Sequence, residues 1–399
     1  MAERPLRVLI ASDTYPPDVN GAGYFTHRLA EGLAGRGHRV HVVCPSEKGD
    51  PYVTVNNAVT EHRLRSAPIP FMRAAVPLGM GGHIARIVQR LDPDVVHAQS
   101  HFPLSRSAIR RGRAAGVPVV FTNHFMPDNL YAHARIPEPM QELAGALAWK
   151  DMIRVAGEAD HVTTPTPRAA RLLREKGFTR EVEAISCGID LERFHPHGDP
   201  AAARRRFGLP DRDTVVFVGR LDEEKRIDDT IRALARIVPE RDAQLALAGT
   251  GQREEELRAL AARLGVADRV FFLGFVPDED LPLVYAAGDA FAIAGVAELQ
   301  SIATLEAMST GLPVVAADAM ALPHLVEEGR NGFLFPPGDP VRLADRLLLV
   351  LGPQRRALGA ASRELARWHD HHRSLERFEG VYTRLRGTAP VWDERLVAA

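Results

Sequence analysis

Two glutamates, Glu298 and Glu306, stand eight residues apart in a segment whose composition suits binding of a polar ligand. A strand-like run precedes them, and Gly311 and Pro313 end the segment before a second strand-like run at 314–317. The small and apolar residues between them predict a helix with one buried stripe, formed by Ile302, Ala303, Leu305, Ala307 and Met308. Glu298 is then expected just before the helix, at the carboxyl edge of a parallel sheet, where such sheets bind ligands.

The spacing of the two glutamates limits the chemistry that they can perform. Eight residues of helix turn through about 800°, which leaves the side chains roughly 80° from facing one another. Glu298 and Glu306 can therefore contact one extended ligand but not a single atom, and this disfavours a pair of general acid and base. Two solvated glutamates on an ordinary helix remain the alternative explanation of the spacing taken alone.

Two cations, Arg220 and Lys225, follow the strand-like run at 214–219 and precede a helical pattern at 228–237. Arginine can bind phosphate through two parallel hydrogen bonds, and lysine acts as a point charge. This placement predicts a site for a diphosphate. A surface turn in which these cations pair with Asp222, Glu223 and Glu224 would explain the same residues.

Glycines follow several of the predicted strands. Gly249 and Gly251 follow the run at 245–248, where the absence of side chains lets the backbone approach a ligand closely. Gly21 and Gly23 lead into an amphipathic helix, so that backbone N–H groups could approach an anion, although a plain tight turn is the alternative. His124 ends a strand-like run at 117–124, where a structural histidine is the alternative to a functional one.

The strand and helix patterns alternate through both halves of the chain, which predicts an α/β protein with two doubly wound parallel sheets. At 399 residues the chain is long enough for two cores. We place the domains at 1–197 and 198–369, because Gly198, Asp199 and Pro200 suit a hinge, and we predict an amphipathic helix at 373–386. A NAD-dependent dehydrogenase is disfavoured because neither half has G-x-G-x-x-G after its first strand.

The composition, 45% hydrophobic and 25% charged, is that of a soluble globular protein. No run approaches the roughly 18 apolar residues of a membrane span, and the N-terminus lacks the apolar core of a signal peptide. We therefore expect a cytoplasmic protein, either free or peripheral at the inner face of the membrane. Cys44 and Cys187 give neither a disulfide framework nor a zinc-ligand spacing.

The first half of the chain has a net positive charge, and the excess is local, because residues 61–113 contain nine arginines and three acidic residues. This excess could be a solvated face, or a patch for anionic lipid head groups or an anionic acceptor. Nucleic acid is disfavoured as a partner because no aromatic residues interleave the arginines. The apolar stretch at 66–82 could form an acceptor loop, a membrane contact or ordinary packing.

Several segments together resemble the retaining family-4 glycosyltransferases. The E-x7-E spacing is followed by E-A-M-x-x-G-x-P-V-x-A, and further similar segments are G-R-L-x-x-x-K at 219–225, A-G-x-G at 248–251, G-I-D-x-x-x-F-x-P at 188–196 and N-G-x-L at 331–334. The similarity extends over nearly the whole chain. Where the family usually has E-G-F-G, this chain has Glu298-Leu299-Gln300-Ser301, a variant similar to some lipid-directed and less-characterised branches.

The resemblance implies the GT-B fold, in which two Rossmann-like domains face a central cleft and the last helix, within about 370–399, packs back onto the first domain. It implies that Glu298 and His124 lie by the donor sugar, that Glu306 binds the ribose, and that Arg220 and Lys225 neutralise the leaving diphosphate. The other donor-binding positions that it implies are Gly21, Gly23, Gly219, Gly249, Gly251, Val276, Leu299, Gln300, Ser301 and Ile302.

The function implied by the resemblance is the transfer of a hexosyl group from a UDP- or GDP-sugar to a hydroxyl acceptor with retention of configuration. The acceptor would be lipid-linked or a small molecule, and a donor phosphate oxygen would take its proton. We expect neither a metal nor a tightly bound cofactor. The alternatives are a phosphorylase or hydrolase on the same scaffold and a non-catalytic nucleotide-sugar-binding protein. The oligomeric state stays open.

Overall fold

The computed structural model describes residues 4–18, 20–68, 75–77, 79–126, 138–196 and 198–388. The described residues form two compact units, one of 4–126, 138–185 and 374–388 and the other of 186–373. The units therefore change over between Ile185 and Ser186, whereas the sequence had suggested 197 and 198. Most of the apolar stretch at 66–82 that the sequence singled out lies outside the described residues or has no described side chain.

The strands of the first unit are β1 (Arg7–Ala11), β2 (Arg39–Pro45), β3 (Tyr52–Asn56), β4 (Val59–Leu64), β5 (Ser66–Pro68), β6 (Ala75–Pro77), β7 (Val95–Ala98), β8 (Val119–Thr122), β9 (His161–Thr164) and β10 (Glu183–Ala184). Eight of them form one sheet in the order β10-β9-β8-β7-β1-β2-β4-β3, and β5 pairs with β6. All neighbours in the large sheet are parallel except β3 and β4.

The strands of the second unit are β11 (Asp213–Val218), β12 (Ala243–Ala248), β13 (Val270–Gly274), β14 (Ala290–Ile293), β15 (Val314–Ala317) and β16 (Gly332–Phe335). They form an all-parallel sheet in the order β13-β12-β11-β14-β15-β16. This is the doubly wound order 3-2-1-4-5-6, in which the direction of the connections reverses between β11 and β14. Ligands of such sheets bind at the carboxyl ends of those two strands.

The helices are α1 (Gly21–Gly35), α2 (Met80–Leu91), α3 (Pro103–Ala114), α4 (Glu138–Ala156), α5 (Pro167–Glu175), α6 (Pro200–Arg206), α7 (Ile227–Ile237), α8 (Glu254–Arg263), α9 (Leu281–Ala286), α10 (Ile302–Ser309), α11 (Pro340–Val350), α12 (Arg355–Ala366) and α13 (His371–Thr388). The α1 helix buries Phe25, Leu29 and Leu33, the stripe that the sequence predicted. Its first turn is capped by Asn20, whose side chain accepts a hydrogen bond from the Gly23 N–H.

The structure of α10 buries Leu305, Ala307 and Met308 as predicted and differs from the prediction in two respects. Every residue from Thr304 to Ser309 is buried, so the helix has no solvated face there, whereas Ile302 and Ala303 are only half-buried. The helix begins at Ile302, so Glu298 lies outside it and the rotation calculated for eight helical residues does not apply. The relation between Glu298 and Glu306 is therefore set by the loop before α10 and not by helix geometry alone.

A chain of buried polar side chains holds α13 to the sheet of the first unit. His97 Nδ1 is hydrogen-bonded to the Tyr382 hydroxyl at 2.7 Å, and His97 Nε2 to Thr122 Oγ1 at 2.6 Å. Thr122 Oγ1 in turn lies 2.6 Å from Thr163 Oγ1. Because buried polar groups without partners cost free energy, this chain fixes the position of α13 over β7, β8 and β9.

We expect the free energy of unfolding to fall as the pH is lowered from about 6.5 to about 4. Burial lowers the pKa of His101 to about 4 and that of His97 well below its ordinary value. In this window the unfolded chain takes up protons at these histidines while the folded protein does not, so acid favours unfolding. Urea unfolding at pH 7, 6 and 5 should show a loss of about 2 kcal/mol or more by pH 5.

Two substitutions make the origin of this pH dependence testable. His97→Asn should lower stability at pH 7, because hydrogen bonds are lost, but should flatten the decline toward pH 5. His83 is exposed on α2, so His83→Asn should leave the decline unchanged. A wild-type unfolding free energy that stays constant between pH 7 and pH 5 would contradict this account.

Candidate functional site

The loops that follow β11 and β14 lie against each other at the point where the sheet of the second unit reverses its connections. The Val296 N–H donates a hydrogen bond to the Glu224 carbonyl at 3.2 Å. A Cβ added at Gly295 would lie 3.3 Å from Glu298 Oε1 and 3.5 Å from the Glu224 carbonyl oxygen. Because glycine at position 295 has no side chain, the two loops can approach closely and bring their charged side chains together.

Lys225 and Glu298, one from each loop, form an ion pair. Lys225 Nζ lies 2.5 Å from Glu298 Oε1, and the two side chains are only 19% and 11% exposed. A pair with this little exposure is screened weakly by salt, so each charge orients the other. The sequence had assigned these residues to the diphosphate and the donor sugar respectively, and the structure brings them together.

Arg220 is held by two carboxylates of its own loop. Its guanidinium lies 2.7 Å from Asp222 Oδ2 and 2.7 Å from Glu224 Oε1, and 42% of its side chain is exposed. This is the salt-bridged turn that the sequence offered as the alternative to a phosphate site, and its ion pairs are formed with Asp222 and Glu224. The two carboxylates fix the orientation of Arg220, and the exposed part of its fork can still meet a ligand.

Glu306 is buried and is oriented by Tyr285, a residue that the sequence analysis missed. The Tyr285 hydroxyl donates a hydrogen bond to Glu306 Oε2 at 2.7 Å, and the Tyr285 ring is packed against Phe194 and Phe291. Burial, together with the charge of Glu306, raises the pKa of Tyr285 well above its ordinary value, so the hydroxyl remains a donor. Tyr285 could have been found from the sequence, because it stands in the apolar segment of α9 and a buried tyrosine hydroxyl needs a hydrogen-bond partner.

The side chains of the loop before α10 are engaged within the protein. Gln300 accepts a hydrogen bond from the Cys187 N–H at 2.7 Å and donates one to Ser186 Oγ at 3.0 Å. Leu299 is buried, and Ser301 caps α10 by accepting a hydrogen bond from the Thr304 N–H at 3.3 Å. At positions 299–301 the backbone, and not the side chains, is therefore the part that could contact a bound ligand.

The glycines after β11 and β12 are required by the packing of these loops on each other. A Cβ at Gly249, whose φ is +137°, would lie 1.9 Å from the Gly219 carbonyl oxygen. A Cβ at Gly251 would lie 2.4 Å from the backbone of Leu221. The sequence had connected these glycines with a nucleotide, and the structure shows close contact of the chain with itself. Val276, after β13, is buried.

Three of the predicted site residues lie in the first unit. His124 follows β8, donates a hydrogen bond from Nε2 to Gln99 Oε1 at 2.9 Å and packs against the ring of Phe25. Burial lowers the pKa of His124 to about 3, so the imidazole is neutral at physiological pH. Gly21 and Gly23 form the first turn of α1, where the N–H of Gly23 is already bonded to the Asn20 cap.

Within the described part of the chain, no group of three or more His, Cys, Asp or Glu side chains is placed to hold a metal ion. The same described residues contain no helix that is long and apolar enough to cross a membrane.

Two solved structures share this architecture over nearly the whole chain. Sucrose-phosphate synthase from Thermosynechococcus elongatus superposes with a TM-score of 0.79 at 23% identity, covering 94% of this chain and 98% of that one. Anabaena HepE in complex with UDP superposes with a TM-score of 0.75 at 21% identity, covering 94% and 99%. Together with the two doubly wound sheets, these similarities define the GT-B fold of glycosyltransferases.

Sequence comparisons narrow this class to a family. Residues 19–193 match the model described as Glycosyltransferase Family 4, and residues 212–352 match the model described as Glycosyl transferases group 1. The D-inositol 3-phosphate glycosyltransferase of Acidothermus cellulolyticus is 32% identical over 95% of this chain and 90% of its own length. The GDP-mannose-dependent alpha-mannosyltransferase of Mycobacterium tuberculosis is 29% identical, covering 91% and 93%. The chain belongs to glycosyltransferase family 4.

Proposed function

We propose that this glycosyltransferase moves a hexosyl group from a UDP- or GDP-sugar to a hydroxyl of a lipid-linked or small-molecule acceptor, with retention of configuration. The observation that carries the proposal is the ion pair of Lys225 and Glu298 at the switch point of the second unit, beside the oriented guanidinium of Arg220. We take Lys225 as a cation for the diphosphate and the adjacent Glu298 as the carboxylate for sugar hydroxyls.

The leaving diphosphate needs positive charge and hydrogen-bond donors as the glycosidic bond breaks. We assign Arg220 and Lys225 to its phosphate oxygens, with the carboxylates that now hold them serving to preorganise both cations. The Ile302 and Ala303 N–H groups in the first turn of α10 add donors, because the Thr304 N–H is bonded to the Ser301 cap and the Leu305 N–H to the Ser301 carbonyl. No enzymatic nucleophile is needed if a donor phosphate oxygen takes the acceptor proton.

The donor sugar and the ribose are assigned to the remaining polar groups. Glu298, turned toward Lys225 through one oxygen, accepts hydrogen bonds from hydroxyls of the sugar. Glu306 accepts from the hydroxyls of the ribose. His124 retains the donor-sugar role that the family resemblance implies, and its neutral imidazole offers one donor and one acceptor.

Tyr285→Phe should weaken the binding of UDP or GDP by about tenfold, because a hydrogen bond that orients a charged acceptor is lost. A 2′,3′-dideoxynucleotide lacks the hydroxyls assigned to Glu306, so its already weaker binding should change little. Titration calorimetry with both ligands measures the difference directly.

The matched control for this substitution is Tyr52→Phe, which removes a tyrosine hydroxyl that also donates to a glutamate, Glu47, at 2.5 Å in the first unit. It should leave nucleotide affinity unchanged. Equal weakening of the ribose and dideoxy nucleotides by Tyr285→Phe would refute the assignment of Glu306 to the ribose.

The proposed reaction is tested by incubating the protein with UDP- and GDP-hexoses and a panel of hydroxyl acceptors. The panel should include an inositol phosphate, since a curated relative carries the name D-inositol 3-phosphate glycosyltransferase, and phospholipids. Release of the nucleoside diphosphate that depends on the acceptor, with an α-linked product from an α-linked donor by NMR, is the expected result. A β-linked product would overturn retention, and diphosphate release without acceptor dependence would indicate a hydrolase.

A further inference from the structure

An open pocket of about 700 Å³ lies beside α2 and α3 in the first unit, apart from every residue assigned above. Its described lining consists of Met80, Pro103, Arg106, Ser107, Arg110 and Arg111. Half of these residues are arginines, and among the described lining residues there is no carboxylate. The volume is within the range of pockets that hold small ligands, roughly 300–1,000 Å³.

The geometry of α3 directs these arginines into the pocket. The five lining residues of α3 recur at helical spacing and therefore share one face. The opposite face, with Leu104, Ala108 and Ile109, is buried in the core of the first unit. Gly112 is on that buried face, where a Cβ would lie 3.0 Å from Val96 Cγ2. The close packing of this face against the sheet fixes the rotation of α3 and keeps the arginines on the opposite face, at the pocket.

The three guanidinium groups are neutralised unequally. Arg106 is bonded to both carboxylate oxygens of Asp151, at 2.5 and 3.3 Å, and to the His101 carbonyl. Arg110 is 58% exposed, and its ion-pair contact with Glu158 is 3.8 Å long. Arg111 is exposed and, among the described residues, has neither an ion-pair partner nor a hydrogen-bond acceptor. Arg106 and Arg110 are four residues apart, and like charges at this spacing destabilise a helix. An anion at the pocket would balance the charge of Arg110 and Arg111.

Gly81 of α2 makes room for Arg111 at the pocket. A Cβ at position 81 would lie 3.0 Å from Arg111 Nη2, which is closer than nearly all side-chain contacts. The guanidinium therefore lies directly against the backbone of α2. Among the other described lining residues, Ser107 offers a hydroxyl that can donate a hydrogen bond, and Met80 closes one side with an apolar chain.

We propose that this pocket binds a phosphate monoester or diester, with Arg110 and Arg111 as its direct ligands, Ser107 as a hydrogen-bond donor and Arg106 as a fixed cation. Guanidinium groups match phosphate oxygens through paired hydrogen bonds. The phosphate belongs either to a soluble phosphorylated compound or to a lipid head group. That the bound phosphate is part of the sugar acceptor rests on the proposed function, whereas the binding of phosphate to the pocket does not.

The test measures binding of two probes at constant ionic strength. Glycerol 3-phosphate, with glycerol as its uncharged control, is titrated by calorimetry. Vesicles of phosphatidylglycerol and phosphatidylcholine, compared with phosphatidylcholine alone, are used in sedimentation. The double variant Arg110→Gln/Arg111→Gln removes the two direct ligands. The matched control, Arg86→Gln/Arg90→Gln, removes two exposed arginines of α2 outside the pocket.

We expect the pocket variant to bind at least about tenfold more weakly than the wild type and the control variant to bind within twofold of it. Binding of glycerol 3-phosphate identifies a soluble source of the phosphate, and binding of anionic vesicles alone identifies a lipid. The proposal is overturned if neither probe binds the wild type, or if the pocket variant and the control variant behave alike.

Failure of this proposal can be distinguished from failure of the proposed function by the nucleotide titration described in the Discussion. UDP or GDP should bind the pocket variant as tightly as the wild type, because the residues assigned to the nucleotide, Arg220, Lys225 and Glu306, all lie in the second unit. If the wild type bound glycerol 3-phosphate or anionic vesicles but no nucleotide, the proposed transferase function would be rejected and the proposed phosphate pocket would not.

Discussion

Replacing Arg220 with alanine is expected to lower kcat by about 10³-fold, because the proposed diphosphate site loses one of its two cations. The structure adds a second reason for a large effect. Asp222 and Glu224, now neutralised by Arg220 at 2.7 Å each, would lose that cation and repel a diphosphate bound there. Glu224 already has one buried oxygen without a hydrogen-bond partner. The measurement is acceptor-dependent turnover at saturating donor.

Two further variants separate loss of the cation from exposure of the carboxylates. Adding Glu224→Gln to Arg220→Ala should recover part of the lost activity, because one unpaired charge is removed. Arg258→Ala breaks an exposed ion pair with Glu254 on α8 of the same unit and should leave turnover unchanged. If folded Arg220→Ala protein turned over within tenfold of the wild type, Arg220 would be only a member of a surface salt bridge.

Gly249→Ala is expected to cost several kcal/mol of stability, and in a chain of ordinary stability this would prevent accumulation of folded protein. The added Cβ would lie 1.9 Å from the Gly219 carbonyl oxygen, so a backbone must move, and the φ of +137° is itself unfavourable for alanine. The loops after β11 and β12 would separate, and with them the position of Arg220. Thermal and urea unfolding of the purified variant measure the loss.

Gly265→Ala is the matched control for this substitution. Gly265 also has a positive φ, +72°, but nothing lies within 4 Å of the position of an added Cβ. It should therefore cost only the backbone strain, about 1 kcal/mol. Equal stability of the two variants would show that the contact between Gly249 and Gly219 is not needed by the fold.

The order of strands and helices was predictable because it depends on patterns within a few residues. The apolar run at 314–317 is β15 without change, and the run at 214–219 is β11 shifted by one residue. Buried strands of a parallel sheet are apolar on both faces, so their runs stand out from the alternating helices. The salt-bridged turn at Arg220 was also visible, since its partners are two and four residues away.

The polar pairs of the site could not be predicted, because their members meet only in the folded chain. Gln300 is bonded to the Cys187 N–H across 113 residues, and Lys225 to Glu298 across 73. The burial of α10 was missed for a related reason. A helix covered by other elements has no solvated face, and the buried Glu306 accepts a hydrogen bond there from Tyr285, a residue 21 positions away.

The glycines of the second unit show a further limit of sequence reasoning. Gly249 and Gly251 were predicted to let the backbone approach a ligand closely, but a sequence pattern does not show what approaches them. The structure identifies the neighbours as Gly219 and Leu221 of the adjacent loop. A glycine that packs two loops together and one that admits a phosphate have the same sequence signature.

The central claim is that the second unit binds a nucleoside diphosphate through Arg220, Lys225 and Glu306. It is tested most directly by titration calorimetry of UDP, GDP and ADP into the wild type, Arg220→Ala and Glu306→Ala. We predict that one of the three diphosphates binds the wild type and that each substitution weakens its binding by at least about tenfold. Folded wild-type protein that binds none of the three, or binding that neither substitution changes, would contradict the claim.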